Sequence, residues 1–313
     1  MSAVERVLVI QNPSAGRGRA AARIASLAYS FGEANIAYDL VATRSPGQAV
    51  ALAANGAKAG YSAIVAAGGD GTINEVINGA ALSTHDDRAT LPIGIYPIGS
   101  GNDLAHSLGL TADAGALTRA ILLKRVRYMD LGLATLRGAS GDVQRYFHNS
   151  LGYGLEASVT RESDQIQNLT GGMLYLVAAF RALRSYVTPL ATVEWTDAEG
   201  ERHSVKQEIT IVSIGNAKRT GGAFYLTPDA VVDDELFDVA MAGAVSRIRL
   251  LSLLPRALVG KHTSAKSVRM LKCRQISVRS REPLPAHMDG EVVMLDALEA
   301  TAVIDAGRLA ILV

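Results

Sequence analysis

The chain has 313 residues, 49% of them hydrophobic, and a formal net charge of +1, which excludes a disordered chain and suggests two domains with sizeable cores. Its one cysteine, Cys273, excludes an internal disulfide and is typical of a protein from a reducing compartment. The N-terminal segment lacks the pattern of a signal peptide, and no run of about 18 apolar residues predicts a membrane span, so we expect a cytoplasmic protein.

The first third of the chain alternates short apolar runs with helical patterns, as is typical of a parallel sheet covered by helices. The predicted strands are residues 7–10, 37–42, 63–67 and 93–98. Each strand runs into a turn of small and polar residues. Because ligands of such sheets bind at the carboxyl ends of the strands, we expect these turns to line one edge.

The turn after the third strand, residues 68–72 (Gly-Gly-Asp-Gly-Thr), is the strongest sign of a binding site. Its glycines permit positive φ and leave no side chain between the backbone N–H groups and a ligand, so these groups can converge on phosphate oxygens. An aspartate beside phosphates, here Asp70, is a natural holder of a magnesium ion and its waters. The turn therefore predicts a nucleotide-phosphate site.

Two helices of this region carry the sequence pattern of a capping box. Thr72 with Glu75 predicts a helix that begins at Thr72, whose N-terminus adds its own attraction for an anion. Ser45 with Gln48 predicts a second box, with Pro46 at the first helical position.

From about Met129 onward, alternating β-branched runs dominate, which predicts a second, largely antiparallel domain. Its predicted strands are residues 192–195, 207–214, 237–242, 275–278 and 302–304, interrupted by helical patterns at 172–186 and 250–259. The spacing of the first helical pattern favours a buried helix over the lining of a lipid cleft. We expect domains over 1–128 and 129–313, and leave open that the last strand returns to the first domain.

Positive charge is concentrated in residues 242–281, which contain ten lysines or arginines and no acidic residue. Leucines lie among these cations at 250–258, so we expect attraction to an anionic membrane surface, with a solvated basic face as the alternative. Few aromatic residues interleave with the cations, so a nucleic-acid partner is not expected.

The glycine turn lacks the Gly-Lys-Ser/Thr of a Walker-type phosphate loop, and alone it resembles the turns of NAD kinases and phosphofructokinases. Three further segments narrow the choice of family: residues 12–16 after the first strand, 97–105 after the fourth, and 288–291 (Met-Asp-Gly-Glu). Together with the glycine turn they resemble the diacylglycerol kinase-like lipid kinases. The motifs occur in the order of that family, and the resemblance covers the whole chain.

The resemblance implies a Rossmann-like α/β domain, similar to that of NAD kinases and phosphofructokinases, that binds ATP, and a β-rich domain that receives the lipid in the interdomain cleft. It implies ATP and Mg²⁺ as cofactors. The nucleotide-binding residues that it implies are Asn12, Pro13, Ser14, Ala15, Gly16, Thr43, Gly68, Gly69, Asp70, Gly71, Thr72, Ile73, Asn74, Glu75, Ser100 and Asn102. Ser100 stands where the family usually has threonine, and it retains the hydroxyl group.

The resemblance also implies the catalytic residues. Glu291 matches the proton acceptor of the family, and Asp289 matches the partner that organises magnesium together with Asp70. A carboxylate base suits phosphoryl transfer, in which positioning and charge neutralisation do most of the work. In isolation, two carboxylates flanking a glycine indicate a surface turn more often than a site, but the matching segments favour catalysis. His287, beside this motif, is expected to be structural.

One segment departs from the family pattern. After residues 227–230 the family usually continues to an Asp-Gly pair that seats a structural magnesium, whereas this chain has Asp234-Glu235. The resemblance implies the Asp234 side chain and the carbonyl groups of Val231 and Leu236 as ligands. Because glutamate adopts positive φ less easily than glycine, we expect either a changed loop or an added carboxylate ligand.

The sequence thus predicts an ATP- and magnesium-dependent lipid kinase that phosphorylates diacylglycerol to phosphatidic acid. Ceramide or a sphingoid base is the alternative acceptor, and an NAD kinase or a non-catalytic lipid-binding pseudokinase is the alternative class. The expected partners are the lipid substrate and an anionic membrane surface to which a cytoplasmic enzyme binds peripherally. Homodimerisation stays an open hypothesis.

Overall fold

The computed structural model describes residues 6–84, 88–166, 168–169, 171–186, 188–221 and 224–313. The chain divides into two compact units: Met1–Asp130 with Ala306–Val313, and Leu131–Asp305. Among the described residues, no helix is long and apolar enough to cross a membrane.

The elements follow one another along the chain as follows. The first unit contains β1 (Arg6–Gln11), α1 (Ala20–Glu33), β2 (Ala37–Ala42), α2 (Gln48–Lys58), β3 (Ala63–Gly68), α3 (Asp70–Ser83), β4 (Ile93–Pro97), α4 (Asp103–Ser107) and α5 (Ala114–Leu123). The strand β5 (Val126–Gly138) crosses the boundary, and β6 (Gly141–Phe147), β7 (Ser150–Gly154), α6 (Leu155–Asp164), α7 (Gly171–Ser185), β8 (Leu190–Thr196), β9 (Arg202–Gly215), β10 (Phe237–Gly243), α8 (Arg247–Ala257), β11 (Val268–Cys273), β12 (Gln275–Met288) and β13 (Glu291–Leu312) follow.

The first unit is built on a parallel sheet in the order β2-β1-β3-β4, and Ile311 of the last strand pairs with Ile93 on β4. Every residue of β3 is buried, because this strand lies between two others and beneath helices. Val65, Tyr96 and Phe31 belong to the core of this unit. The predicted Rossmann-like α/β fold is confirmed, and the buried β3 gives the glycine turn a rigid base.

The second unit is mainly antiparallel, with β7 between β9 and β12, β10 beyond β9, and β11 at the edge. The strand β8 pairs with both β9 and β12, and β5 pairs with β6. Phe147, Tyr153, Val212 and Phe237 lie in its core. The predicted antiparallel second domain is confirmed.

The predicted capping box of Thr72 with Glu75 is wrong. The helix α3 begins at Asp70, so Glu75 lies too far along it to reach the first N–H groups. Its carboxylate instead accepts hydrogen bonds from the N–H groups of Gly47 (2.8 Å) and Ala49 (3.0 Å), at the start of α2. Glu75 therefore caps the neighbouring helix, against which α3 packs.

The predicted box of Ser45 with Gln48 is wrong as well. The helix α2 begins at Gln48 and not at Pro46, and its N-cap is Gly47 with φ +82°. The side-chain oxygen of Gln48 accepts a hydrogen bond from the N–H of Arg44 at 2.6 Å, one residue before the predicted partner. The left-handed glycine between the proline and the helix delays the helical turn.

Candidate active site

Two turns of the first unit meet backbone to backbone. One joins β3 to α3 through Gly69, and the other joins β4 to α4 through Gly99. A Cβ atom added to Gly99 would lie 2.6 Å from the Cα atom of Gly69. No side chain fits between these turns, so their shape depends on glycine at this point.

Asp70 ties the same two turns together with its side chain. One carboxylate oxygen accepts a hydrogen bond from the N–H of Asn102 at 2.7 Å, and the other accepts one from the N–H of Asp103 at 2.8 Å. Asn102 has φ +52°, and a Cβ atom on Gly101 would lie 2.6 Å from an Asp70 oxygen. Because a carboxylate offers about four lone-pair sites, the partly exposed Asp70 retains acceptor capacity for the waters of a magnesium ion.

Asn12 fixes the turn after β1 to its neighbours. Its N–H donates to the carbonyl of Ala67 (3.0 Å), and its side-chain nitrogen donates to the hydroxyl oxygen of Thr72 (3.2 Å). Its side-chain oxygen accepts a hydrogen bond from the N–H of Ser14 at 3.0 Å. The ends of β1 and β3 and the start of α3 are thereby held in one arrangement.

Two cavities adjoin these turns within the first unit. One, of about 270 Å³, is lined by Asn12, Ser14, Thr43, Gly71, Thr72 and Glu75, all predicted to bind nucleotide. The other, of about 350 Å³, is lined by Gly99, Gly101 and Asn102 together with Arg19 and Arg23 of the α1 region. Sequence reasoning missed the two arginines, although cations next to a phosphate turn are a usable signal.

The remaining predicted nucleotide residues divide by exposure. Pro13 and Ser100 are exposed, and Gly16, Gly69 and Gly68 supply backbone to the turns. Ala15, Ile73 and Asn74 are buried, and the Asn74 side-chain oxygen accepts a hydrogen bond from the Asn78 side chain at 3.0 Å. The structure thus places the side chains of Ile73 and Asn74 in support of α3, away from the cavities.

The acidic motif of the second unit forms the tight turn between β12 and β13. Asp289 and Gly290 have φ +50° and +83°, as in a type I′ hairpin. The Asp289 carboxylate accepts hydrogen bonds from three successive N–H groups, those of His148 (3.0 Å), Asn149 (2.8 Å) and Ser150 (3.0 Å). Its side chain is only 2% exposed, so Asp289 anchors the turn within the unit.

Glu291 extends from this turn as the first residue of β13, with 61% of its side chain exposed. The guanidinium group of Arg145, on β6, donates to its carboxylate at 2.7 Å. Partial burial and the negative charge of Glu291 raise the pKa of the Asp164 carboxyl at the end of α6. The arrangement presents a carboxylate that is held in place yet open to a substrate, and sequence reasoning missed both Arg145 and Asp164.

A buried histidine and glutamate lie behind the acidic turn. The His287 ring nitrogen Nε2 is 3.1 Å from a Glu156 oxygen, and both side chains are buried. A Cβ atom on Gly152 would lie 2.2 Å from that nitrogen, so the contact requires glycine there.

Glu156 also borders a cavity of about 80 Å³ lined mostly by apolar side chains, among them Tyr175 and Phe224. Sequence reasoning did not find this cavity.

At the predicted structural metal site, protein cations already face the acidic pair. The Lys272 ammonium lies 3.1 Å from an Asp234 oxygen, and the Arg274 guanidinium lies 2.8 Å from a Glu235 oxygen. Glu235 adopts φ +60°, so the glutamate takes the conformation that a glycine would have taken. The Asp234 donor set therefore does not fit a resident divalent ion. Val231 and Leu236, whose carbonyl groups were the other expected ligands, lie before and after the acidic pair in the sequence.

Comparison with known proteins gives two family matches that together span most of the chain. Residues 6–134 match the model "Diacylglycerol kinase catalytic domain". Residues 149–313 match the model "YegS C-terminal NAD kinase beta sandwich-like domain".

Individual relatives extend over both units. A diacylglycerol kinase of Bacillus subtilis is 27% identical over 289 residues, covering 92% of this chain and 90% of that protein. A probable YegS-like lipid kinase of Xanthomonas oryzae is 30% identical over 262 residues, covering 82% and 81%.

Solved structures share the fold. The crystal structure of a putative diacylglycerol kinase from Bacillus anthracis has a TM-score of 0.76 at 21% identity and covers 98% of this chain and 97% of that one. A yeast NADH kinase complexed with NADH has a TM-score of 0.51 at 10% identity and covers 99% and 84%.

Proposed function

Since this chain belongs to the diacylglycerol kinase-like lipid kinase family, we propose that it transfers the γ-phosphate of ATP to the hydroxyl group of diacylglycerol, giving phosphatidic acid. The membership predicted from the motifs is confirmed, and the chain is a phosphotransferase that uses an alcohol group as acceptor. The identity of the lipid is our proposal.

The observation that carries the proposal is the exposed Glu291 carboxylate, held by Arg145 on a turn that Asp289 anchors through three backbone N–H groups. A general base must be fixed in position and still reach the proton that it takes. Glu291 meets both conditions among the described residues of the acidic motif, whereas the buried Asp289 meets only the first.

In the proposed reaction the first unit holds the donor. The glycine turn and the N-terminus of α3 offer backbone N–H groups to the phosphates, and Asp70 would hold the waters of a magnesium ion with its remaining lone pairs. Magnesium, when bound, would neutralise charge on the β- and γ-phosphates. Apart from its chain neighbours and the backbone of its own helix, no atom would lie within 4 Å of a Cβ atom added to Gly71, so the space beside this residue is open.

The second unit supplies the acceptor chemistry. The Glu291 carboxylate accepts the proton of the lipid hydroxyl, whose oxygen forms the new bond to the γ-phosphorus as the bond to the β-phosphate oxygen breaks and ADP leaves. Asp289 has a positioning role in this scheme, because its hydrogen bonds set where Glu291 begins β13. A base of this kind typically contributes a rate factor of about 10²–10⁴.

Peripheral membrane binding through α7 and α8 is part of the proposal. Met173 and Phe180 on α7 are 60% and 52% exposed, and Ile248 on α8 is 82% exposed. Exposed arginines flank these apolar side chains, namely Arg181, Arg184, Arg247 and Arg249. Apolar groups that insert among headgroups, next to cations that attract anionic lipid, are typical of an interfacial surface.

The acceptor is tested by incubating the purified protein with ATP, magnesium and a total lipid extract, followed by mass spectrometry of every species that gains phosphate. We expect phosphatidic acid as the main product. Phosphorylated ceramide or sphingoid base would redirect the proposal to those lipids, label confined to soluble acceptors such as NAD would contradict it, and bound ATP without any product would indicate a pseudokinase.

The membrane surface is tested separately by vesicle sedimentation. Ile248→Asp should reduce binding to anionic vesicles, while Tyr29→Asp, at an exposed residue of the first unit, should not. Wild-type binding should weaken at high salt, because cation–lipid attraction is screened within a distance of about 10 Å at 0.1 M ionic strength. Binding that ignores salt, anionic lipid and Ile248→Asp would contradict this part of the proposal.

A further inference from the structure

Strand register places a lysine beside the acidic segment that leads into β10. In the antiparallel pair of β10 and β11, Asp238 lies directly opposite Lys272. Side chains at directly opposed positions have Cβ atoms about 4.5–5.5 Å apart, so the sheet itself brings this lysine to the aspartate. Asp238 is 6% exposed on its side chain, which makes a nearby cation important to it.

We propose that the Lys272 ammonium takes the place of a structural divalent ion in this segment, so that the loop before β10 is held by a built-in cation. The inference concerns stability and does not depend on the proposed activity. Asp234 is the residue whose side chain the family resemblance implied as a ligand of the structural metal.

The contacts of the ammonium support this proposal. Its nitrogen lies 3.1 Å from an Asp234 oxygen and 3.2 Å from an Asp238 oxygen, and it therefore bridges the loop to the strand. The other Asp234 oxygen accepts a hydrogen bond from the N–H of Leu236 at 3.2 Å, which fixes the loop locally. A lysine has three N–H donors, so two carboxylates suit it well.

A divalent ion would compete with this arrangement. Magnesium requires near-octahedral oxygen ligands at about 2.0–2.1 Å, and calcium requires six to eight at about 2.3–2.6 Å. An ion bound that closely to the Asp234 carboxylate would lie next to the positive ammonium, with unfavourable Coulomb energy. The lysine and the metal are thus alternative occupants of the same place.

The residue that replaces the family's glycine is held by a second cation. Glu235 has φ +60°, a conformation that side chains rarely adopt, and its carboxylate lies 2.8 Å from the Arg274 guanidinium. The N–H of Arg274 donates to the carbonyl of Thr196 at 2.8 Å, which fixes the arginine backbone. Lys272 and Arg274 are two residues apart, as expected for two side chains on one face of an extended chain.

The test is calorimetry of the full chain without nucleotide, after dialysis against either EDTA or excess magnesium chloride. We expect the wild-type Tm to be the same in both. Lys272→Met should lower Tm in EDTA by about 2–4 °C or more. This is the shift typical of a modest loss of unfolding free energy in a unit of this size. Magnesium should restore part of this shift, because the variant leaves two carboxylates without their ammonium.

Two further variants localise the effect. Lys206→Met, at an exposed lysine of β9, is the matched control and should leave Tm unchanged. Lys272→Arg should retain most of the wild-type Tm, because it keeps the charge. A Lys272→Met protein as stable as wild type in EDTA would overturn the proposal.

A wild-type protein that EDTA destabilises, but that loses this sensitivity with Asp234→Asn, would overturn the proposal as well, because it would locate a structural ion at the loop. This second measurement decides the question even if Lys272→Met does not fold. Since neither readout involves ATP or lipid, failure here is distinguishable from failure of the proposed activity.

Discussion

Each unit of the molecule uses an aspartate to tie a tight turn to another loop, but the two turns present different chemistry. In the first unit, Asp70 accepts two backbone N–H groups. In the second, Asp289 accepts three. Both carboxylates serve as backbone anchors, so each aspartate determines the local structure of its turn.

The difference lies in what surrounds each anchor. Around Asp70 the chain presents glycine backbone and open space, whereas beyond Asp289 it presents one exposed charged side chain, Glu291. Atoms added near the glycine turn should therefore disturb it, whereas the acidic turn should lose its proposed activity when the charge of Glu291 is removed.

The largest effect is expected from removing the charge of Glu291. Glu291→Gln keeps the shape of the side chain but cannot take a proton, so turnover should fall by about 10²–10⁴. ATP affinity and Tm should stay near their wild-type values, because the side chain is exposed. Steady-state kinetics and calorimetric titration measure these quantities.

A matched control is available in the same unit. Glu194→Gln also removes an exposed carboxylate paired with an arginine, here Arg279 at 2.9 Å. It should leave turnover unchanged. Equal losses in both variants would show that ion pairing, and not base catalysis, explains the effect.

Removing the anchors should have a clear effect on stability. Asp289→Ala leaves three N–H groups without their acceptor, and each buried unsatisfied group costs about 1–3 kcal/mol in the free energy of unfolding. Asp70→Ala leaves two N–H groups without their acceptor. Urea unfolding should rank Asp289→Ala as the less stable variant. The reverse order would contradict the claim that Asp289 is the stronger of the two backbone anchors.

Adding one methyl group to the phosphate turn should also be damaging. Gly99→Ala brings a carbon to 2.6 Å from the Gly69 Cα atom, so the backbone must move, and overpacking of this kind costs about 1–3 kcal/mol. Nucleotide affinity should fall with it. Gly32→Ala in α1 meets no atom within 4 Å, and its stability should be unchanged or slightly higher.

The smallest expected effect is a loss of stability at acid pH that arises from the second unit. The histidines that are buried among the described residues, His148, His262 and His287, all belong to the second unit. Burial lowers the pKa of His262 from its ordinary value of 6.5. The unfolded chain therefore takes up a proton near that pH while the folded chain does not, so stability falls as pH falls below 6.5 and levels off below the folded pKa.

Replacing this histidine should reduce the acid sensitivity. In Tm measurements from about pH 7.5 to about pH 5, His262→Gln should reduce the decrease in Tm that the wild-type protein shows at acid pH. His106→Gln, at an exposed histidine of the first unit, should not. An identical slope in wild type and His262→Gln would remove this histidine from the explanation.

The first unit was the easier of the two to predict from sequence. The strand β3 is a wholly apolar run ended by glycines, and β2 has the predicted bounds Ala37–Ala42 because turn residues flank it on both sides. The helices α5 and α6 and the strands β5–β7 and β11 were not predicted. In α6 the residues Leu155–Asp164 are mostly polar, so the apolar spacing of a helix is weak there.

The motifs supplied the proposed site residues, but the contacts of these residues could not be predicted from local sequence patterns. Nothing near Glu291 in the sequence indicates Arg145, which lies on another strand, and only the register of β10 with β11 places Lys272 opposite Asp238. The capping boxes failed for a related reason, since Glu75 caps a helix that it meets through packing. Sequence spacing predicts local hydrogen bonds, whereas these contacts depend on the tertiary structure.

The most direct test of the account is the initial rate of phosphate transfer from radiolabelled ATP to vesicles that contain diacylglycerol, measured for wild type and Glu291→Gln with ATP binding followed in the same samples. We predict that wild type forms labelled phosphatidic acid and that Glu291→Gln binds ATP equally well but forms almost none. Absence of labelled lipid with the wild-type protein, or equal labelling by both proteins, would contradict the assignment of donor binding to the first unit and base catalysis to the second.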